Sequence, residues 1–377
     1  MAPAQRDRHG AAPPTDPAPG LAAKVAFLSQ ASSYPQPTTR VESVETHMSW
    51  LFLTDHDAYK LKKPFQRNGI DYSTPAMRGL NCRRELRLNR RLAADVYLAV
   101  VALTADADGR LALDGAGRRV DWLVRMRRLP AALTLEHALA AGTVDAGDAH
   151  RIVARLAPFF AGAPRARITA PAYRRRLANV VASAAIALAR PECGLVLTGV
   201  DAIAAALQRF IAAHGDLLDA RVQAGRIVEG HGDLRPEHVY LTTPPTIIDC
   251  IEFDRALRLR DPVDELAFMA MECGRCGHPE LDAWLFAAYR ELSGDAPPRA
   301  LIDFHQAHNA FQRARIAIWH LDDPDTGPPR QWIARAGDYL VQARHHLARL
   351  QQRSPSPPPP PAKAVGLAPG GGHDRRG

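Results

Sequence analysis

Pro130 divides this chain into two stretches with different residue periodicity. Before it, from about residue 41, apolar and polar residues alternate in short runs. These are Ser49-Trp50-Leu51-Phe52-Leu53, Ala58-Tyr59-Lys60-Leu61-Lys62, Val96 to Leu103, Leu111 to Leu113 and Asp121 to Leu129. Period-two runs of that length predict β-strands. Thr54-Asp55-His56-Asp57 joins the first two as a hairpin, and Asp106-Ala107-Asp108-Gly109 makes a second turn. One helix interrupts this region, over Arg78 to Leu92, with Leu80, Leu88 and Leu92 as its apolar stripe and Glu85 within it. After Pro130 the spacing turns helical. Helices are expected from Thr134 through Leu139, over Asp148 to Phe160 and Ala172 to Leu188, and from Asp201 with Ile203, Leu207, Phe210 and Ile211 on one face. The fold class that follows is α+β in two lobes. A small β-rich N-lobe spans 23–130, a larger helical C-lobe spans 131–353, and the joint at Arg125–Pro130 has a cleft beside it. Residues 1–22 and 354–377, rich in Pro, Ala and Gly, read as tails without a core.

Composition narrows the classes. A 46% hydrophobic and 23% charged make-up excludes a disordered or collagenous chain. No apolar run approaches the ~20 residues of a membrane helix, and the first twenty residues lack the apolar centre of a secretory signal, so a cytoplasmic protein away from membranes is expected. Five cysteines at irregular spacing suit reduced thiols. The net charge of +8 is spread along the chain, which argues against a nucleic-acid partner. Only five basic residues are lysines, and three of them (Lys60, Lys62, Lys63) crowd into one strand. Either a compact ammonium is needed there, or lysine guards a solvated strand edge.

The densest polar cluster beside apolar sequence lies in residues 227–254. Glu229-Gly230-His231-Gly232-Asp233-Leu234-Arg235-Pro236-Glu237-His238 precedes Val239-Tyr240-Leu241, and Ile247-Ile248 precedes Asp249-Cys250-Ile251-Glu252. A Pro-Pro linker lets the two short β runs pair antiparallel, which brings Asp233, His238 and Asp249 to one end of a hairpin. Two carboxylates and a third polar ligand there can hold a divalent cation and a phosphate and orient a hydroxyl.

These residues carry a resemblance. His231-Gly232-Asp233-Leu234-x-Pro236 followed by Ile248-Asp249 looks like the catalytic segment of the aminoglycoside phosphotransferase and choline kinase-like group, small-molecule kinases with a protein-kinase-like fold. Asp261-Pro262-Val263-Asp264-Glu265-Leu266-Ala267 fits the helix start that follows. Val44 to Trp50, Tyr59 to Pro64 and Glu85 to Leu92 extend the likeness to an uncharacterised bacterial branch, over residues 41 to 350. The resemblance implies transfer of the γ-phosphate of ATP or GTP to a hydroxyl of a small molecule, with Mg²⁺ or Mn²⁺. His231, Asp233 and Arg235 would form the catalytic group, with Asp233 as the base. Asp249 and His238 would hold the metal. Lys60 or Lys62 would pair the phosphates, held by Glu85, and Arg125 and Met126 would offer backbone to the base at the hinge.

Three features depart from that pattern. His238 replaces the metal-binding asparagine, and Arg235 stands where relatives often have histidine. No Gly-rich phosphate lid precedes Trp50. No GxxxxGK[ST] motif of a P-loop domain occurs. The departures keep two rivals open: a nucleotide-binding regulatory pseudokinase, and a metallohydrolase using His231, Asp233 and His238. Cys273-Gly274-Arg275-Cys276-Gly277-His278 supplies three zinc-type ligands, or else ends a helix begun at Asp264. His305 and His308 read as buried structural residues, and Arg313 and Arg315 as solvated or paired with Asp322 and Asp323. Residues 279–352 hold nine acidic and eight basic side chains. Such a balance disfavours a polycationic acceptor and suits a neutral or anionic hydroxyl compound.

Overall fold

The structure, a computed structural model, describes residues 19–67, 69–191, 197–322 and 327–353. It opens with α1 (Leu21–Leu28), which sequence patterning did not anticipate; the expected N-terminal tail overlaps it by two residues. Strands β1 (Glu42–Glu45), β2 (Ser49–Leu53) and β3 (Asp57–Lys62) follow, then the small hairpin β4 (Gln66–Arg67) and β5 (Ile70–Asp71) and helix α2 (Pro75–Asn89). Strands β6 (Tyr97–Ala105), β7 (Leu111–Leu113) and β8 (Arg118–Arg127) complete an antiparallel sheet of order β1-β2-β3-β8-β6-β7. The expected hairpin of β2 and β3 is present, with Trp50 opposite Leu61.

Strand alternation decides what β3 shows to each side. Tyr59 and Leu61 enter the cluster that α1 covers, with Leu28 and Phe52. Ala58, Lys60 and Lys62 face the other way, toward α2, where Cys82, Tyr97 and Val124 pack. Helix α2 starts three residues earlier than the periodicity indicated, because Thr74 accepts the Met77 amide as N-cap and Pro75 fits the first turn. Leu80 is 36% exposed and leaves the expected stripe, while Leu88 and Leu92 are buried. Lys24 and Arg78 converge on buried Asp121 at 2.7 Å each, which ties both helices to β8.

The helical lobe contains α3 (Leu135–Ala140), capped by Thr134 as expected, α4 (Ala146–Gly162), α5 (Ala170–Leu188), α6 (Leu197–Ala213) and α7 (Gly215–Gln223). The capping box of Asp145 and Asp148 moves the start of α4 forward by two residues. Strand β9 (Val228–Glu229) leads to the hairpin β10 (Val239–Tyr240) and β11 (Thr246–Ile247). Then come α8 (Arg255–Arg258), β12 (Leu259–Arg260), α9 (Pro262–Arg275), α10 (Glu280–Ser293), α11 (Arg299–Trp319) and α12 (Pro329–Arg353). One apolar core runs through this lobe, and Ile203, Leu207, Phe210 and Ile211 all belong to it. No helix among the described residues is long and apolar enough to cross a membrane.

Candidate active site

Val239 pairs with Ile247 and Tyr240 with Thr246, so the loop before β10 and the loop after β11 emerge at one end of the hairpin. His238 stands between the two acids. Its Nδ1 lies 2.9 Å from the Asp233 carbonyl oxygen and donates to it, which leaves Nε2 facing Asp249 Oδ2 at 3.6 Å. The expected convergence of Asp233, His238 and Asp249 is present.

The loop carrying Asp233 is braced from below. Gly232 sits at φ +91°, and the His231 and Gly232 amides donate to Glu265 Oε1 at 2.8 Å each. Burial pushes Glu265 up to about 7, against the pull of Arg260 and those amides toward the charged form. A Cβ on Gly230 would stand 2.4 Å from Glu265 Oε1. Gly230→Ala is therefore expected to destabilise the fold by about 1–3 kcal/mol, read as a lower denaturation midpoint.

Asp249 adopts φ +62°, a left-handed conformation that aspartate tolerates and most side chains do not. The Tyr97 hydroxyl at 3.1 Å from its amide and the bond from the Cys250 amide to Asn89 Oδ1 hold that turn against the N-lobe. Lys60 Nζ reaches Asp249 Oδ1 at 2.6 Å and Glu85 Oε1 at 3.0 Å. Lys62 Nζ, two residues along the same face, reaches Glu85 Oε2 at 2.6 Å and Glu252 Oε1 at 2.5 Å. Tyr72 donates a further hydrogen bond to Glu252. The two lysines thus separate by geometry: Lys60 opens onto Asp249 and the cleft, whereas Lys62 is sealed, with 1% of its side chain exposed. Burial opposes the charge on Asp249, but Lys60 and His238 beside it hold its carboxyl well below the usual range. Burial likewise works against Asp233, and Arg235, His238 and Arg313 outweigh it and keep its carboxyl low.

Several expectations need correction. His231 is fully buried; Nε2 lies 2.9 Å from the Ile248 carbonyl and Nδ1 accepts the Asp233 amide at 3.3 Å. Burial, helped by His238, lowers its pKa to about 4. A neutral imidazole with both nitrogens engaged braces the loop and has none left for substrate or metal, so the hydrolase reading loses its first ligand. Arg235 lies 3.7 Å from Asp233 and pairs with Glu237. Arg125 and Met126 lie inside β8, paired to Tyr59 and Ala58 on one side and to Ala99 and Tyr97 on the other. Their backbone groups serve the sheet, and Arg125 also binds Asp57 at 2.8 Å, so the hinge begins beyond Arg127.

Arg313 is a residue that sequence reading misplaced. It comes from α11, contacts Glu272 at 3.5 Å and lends its charge to Asp233. Arg315 contacts Ser183 and stacks over Trp319. Asp322 pairs with Arg190 instead, and Asp323 lies outside the described residues. No signal in the sequence joins position 313 to position 233. The turn between β1 and β2 covers residues 46–48. Thr46 closes it by bonding to Ser49, and the His47 ring comes 4.9 Å from that of His320 in the other lobe.

Among the described residues no group of three or more His, Cys, Asp or Glu side chains is assembled for a metal. Cys273 is buried in α9, which starts at Pro262 behind the cap Asp261, and Cys276 caps the other end; the helix-end reading holds. His305 and His308 are buried, as expected.

No family model matches the chain. Choline kinase from Cryptosporidium parvum Iowa II superposes with a TM-score of 0.54 at 9% identity, covering 87% of this chain and 96% of that one. The GDP complex of an aminoglycoside 2'-phosphotransferase-IIIa variant superposes with a TM-score of 0.50 at 16% identity, covering 82% and 92%. The chain has the protein-kinase-like fold of these small-molecule kinases. Uncharacterised proteins of Mycobacterium tuberculosis and Mycobacterium bovis are 30% identical over 309 residues, which is 80% of this chain. The chain spans 59% of the length of these relatives. Within the fold, α2 stands where its Glu85 can hold a strand lysine against the loop that carries Asp249.

Proposed function

We propose that this protein is a phosphotransferase that moves the γ-phosphate of ATP or GTP to a hydroxyl of a small molecule. The observation that carries this reading is the Lys60 ammonium seated between Glu85 and Asp249, at 3.0 and 2.6 Å. It joins a strand, a helix and the acid-bearing loop at one point. An ammonium so placed can accept nucleotide phosphates beside a cation held by Asp249. The fit to a divalent cation rests on Asp249 Oδ2 and His238 Nε2, 3.6 Å apart. One or two protein donors completed by phosphate oxygens is the pattern of Mg²⁺ sites, and the imidazole extends the fit to Mn²⁺. Such a cation would neutralise charge on the phosphates. The chain's own residues do the rest: Lys60 binds phosphate, Asp233 orients the hydroxyl, Arg235 and Arg313 keep Asp233 ionised, and the backbone just beyond Arg127 meets the base. The balanced charge of residues 279–352 favours a neutral or anionic acceptor.

A thermal-shift panel of ATP and GTP with Mg²⁺ or Mn²⁺ tests the reading. Wild type is expected to gain stability only with nucleotide and metal together, by about 2.7 kcal/mol at a hundredfold excess over Kd. Asp249→Asn, which keeps the left-handed turn accessible, is expected to lose that gain; an unchanged gain would remove the metal role. His238→Asn is expected to favour Mg²⁺ over Mn²⁺, because a hard oxygen replaces imidazole. Equal metal preference in both proteins would exclude His238 as a ligand. A regulatory protein that binds nucleotide without turnover is the second reading, favoured by His238 itself. Persistent nucleotide binding with no transfer across a hydroxyl panel under both metals would select it.

A further inference from the structure

A second cavity, of about 600 Å³, lies beside α2 and has none of Lys60, Asp233, His238 or Asp249 in its wall. Its size suits a small molecule. Its wall is cationic. Arg84 and Arg87 come from α2, Arg91 from just past its end, and Arg255 and Arg258 from α8, with Phe253 adding an aromatic ring. The spacing of 84 and 87 puts those two on one helical face, and Arg91 follows just past the helix end.

Two carboxylates also line the cavity, and both are already neutralised. Glu229 lies 2.7 Å from Arg255 and 2.9 Å from Arg258, and Glu252 holds Lys62 at 2.5 Å. Arg91 spends its guanidinium on the Glu229 and Gly230 carbonyls, at 2.8 Å each. Arg84 and Arg87 are different. Neither makes an ion pair or hydrogen bond among the described residues, and Arg84 is half-buried. Guanidinium groups left without counter-charge in a cationic recess, Arg84 partly withdrawn from water and Arg87 at its rim, favour uptake of an oxyanion, which they can bind in bidentate fashion.

We propose that this cavity binds a small organic anion carrying two or more phosphate or carboxylate groups. Arg84 and Arg87 grip the ligand, and Arg91, Arg255 and Arg258 form the fixed cationic wall behind it. The site does not depend on phosphotransfer. It does adjoin the catalytic frame, because Arg84 precedes Glu85 on α2 and Arg91 holds the loop that leads to Asp233.

Calorimetric titration of the full chain at low salt, with pyrophosphate and with citrate as probes, tests it. Pyrophosphate also suits the phosphate position at Lys60, so the titrations run on wild type, Lys60→Met and Arg84→Ala/Arg87→Ala. Lys60→Met is expected to keep citrate binding within about twofold of wild type, while the double arginine variant weakens both probes by roughly tenfold or more. Binding is also expected to fall as salt rises. Pyrophosphate binding that survives the arginine changes and vanishes in Lys60→Met would place the anion in the cleft and overturn the proposal. Failure of folded wild type to bind either probe would overturn it too. Arg87 is exposed, so Arg87→Gln alone repeats the test without disturbing a buried contact; unchanged affinity there and in the double variant would equally sink it.

Discussion

Asp233→Asn is expected to lower turnover on a hydroxyl acceptor by roughly 10²–10⁴-fold, the range in which a positioned carboxylate contributes. Nucleotide affinity is expected to stay within about threefold of wild type, since the lost interaction belongs to the transition state. The two readouts separate because Lys60 and Asp249 stand on one side of His238, where the proposed nucleotide would sit, and Asp233 stands on the other. With Arg235, His238 and Arg313 holding its carboxyl low against burial, Asp233 is ionised at neutral pH and a weak base. Phosphoryl transfer through a loose transition state asks mainly that the hydroxyl be aimed, and an ionised carboxylate does so without taking the proton early. The rate supported by Asp233 is therefore expected to hold through neutral pH and to decline only in acid, below the ordinary carboxylate value of about 4. Steady-state assays across pH, with nucleotide binding measured in parallel, check both parts. Wild-type turnover in Asp233→Asn would remove this residue from the chemistry.

The parts of the site that were legible before the fold was known are those encoded locally. The β2–β3 hairpin and the β10–β11 hairpin each announce themselves by alternation around a turn, and together they fix where Lys60, Asp233, His238 and Asp249 lie along the chain. Local spacing could not separate Lys60 from Lys62, because alternation puts both on one face of β3. Their partners separate them: Asp249 for one and Glu252 for the other, each nearly 190 residues away. The same limit hid Arg313, whose place near Asp233 depends on how α11 packs. The hinge at Arg125 and Met126 failed for a different reason. The alternating run toward Leu129 does form a strand, which ends at Arg127, but a strand paired on both sides has no backbone groups left for a ligand. Helix α1 was missed because its Ala- and Gly-rich setting masks Leu21, Val25 and Leu28, which find their sheet partners only in three dimensions.

Lys62→Met is expected to cost the fold roughly 3–5 kcal/mol, the usual penalty for removing one member of a buried ion pair. Among the described residues Lys62 is the sole cation within ion-pair distance of Glu252, and it shares Glu85 with Lys60. Without it, Glu252 keeps a buried negative charge supported by the Tyr72 hydroxyl and by the more distant charge of Lys60. Pairing the change with Glu252→Gln removes that stranded charge, so the double variant is expected to regain much of the loss, and the difference between single and double variants measures the coupling. The pH dependence has a definite sign. Burial opposes the charge on Glu252, but Lys62 and then Lys60 overcome it and hold its carboxyl below the ordinary value. Its contribution is therefore full above the unfolded value of about 4.3 and disappears as pH falls through the lowered folded value. Lys62 itself is raised, because Glu252 and Glu85 outweigh its burial, so its contribution is full below about 10.4 and lost only in stronger alkali. Wild type and Lys62→Met are thus expected to differ most between about pH 5 and 9 and to converge in acid. Urea denaturation at pH 7 and pH 3.5 reads the gap directly. A gap of the same size at both values would mean that Lys62 stabilises through the packing of its stem, and the lysine pair would then owe its arrangement to something other than charge.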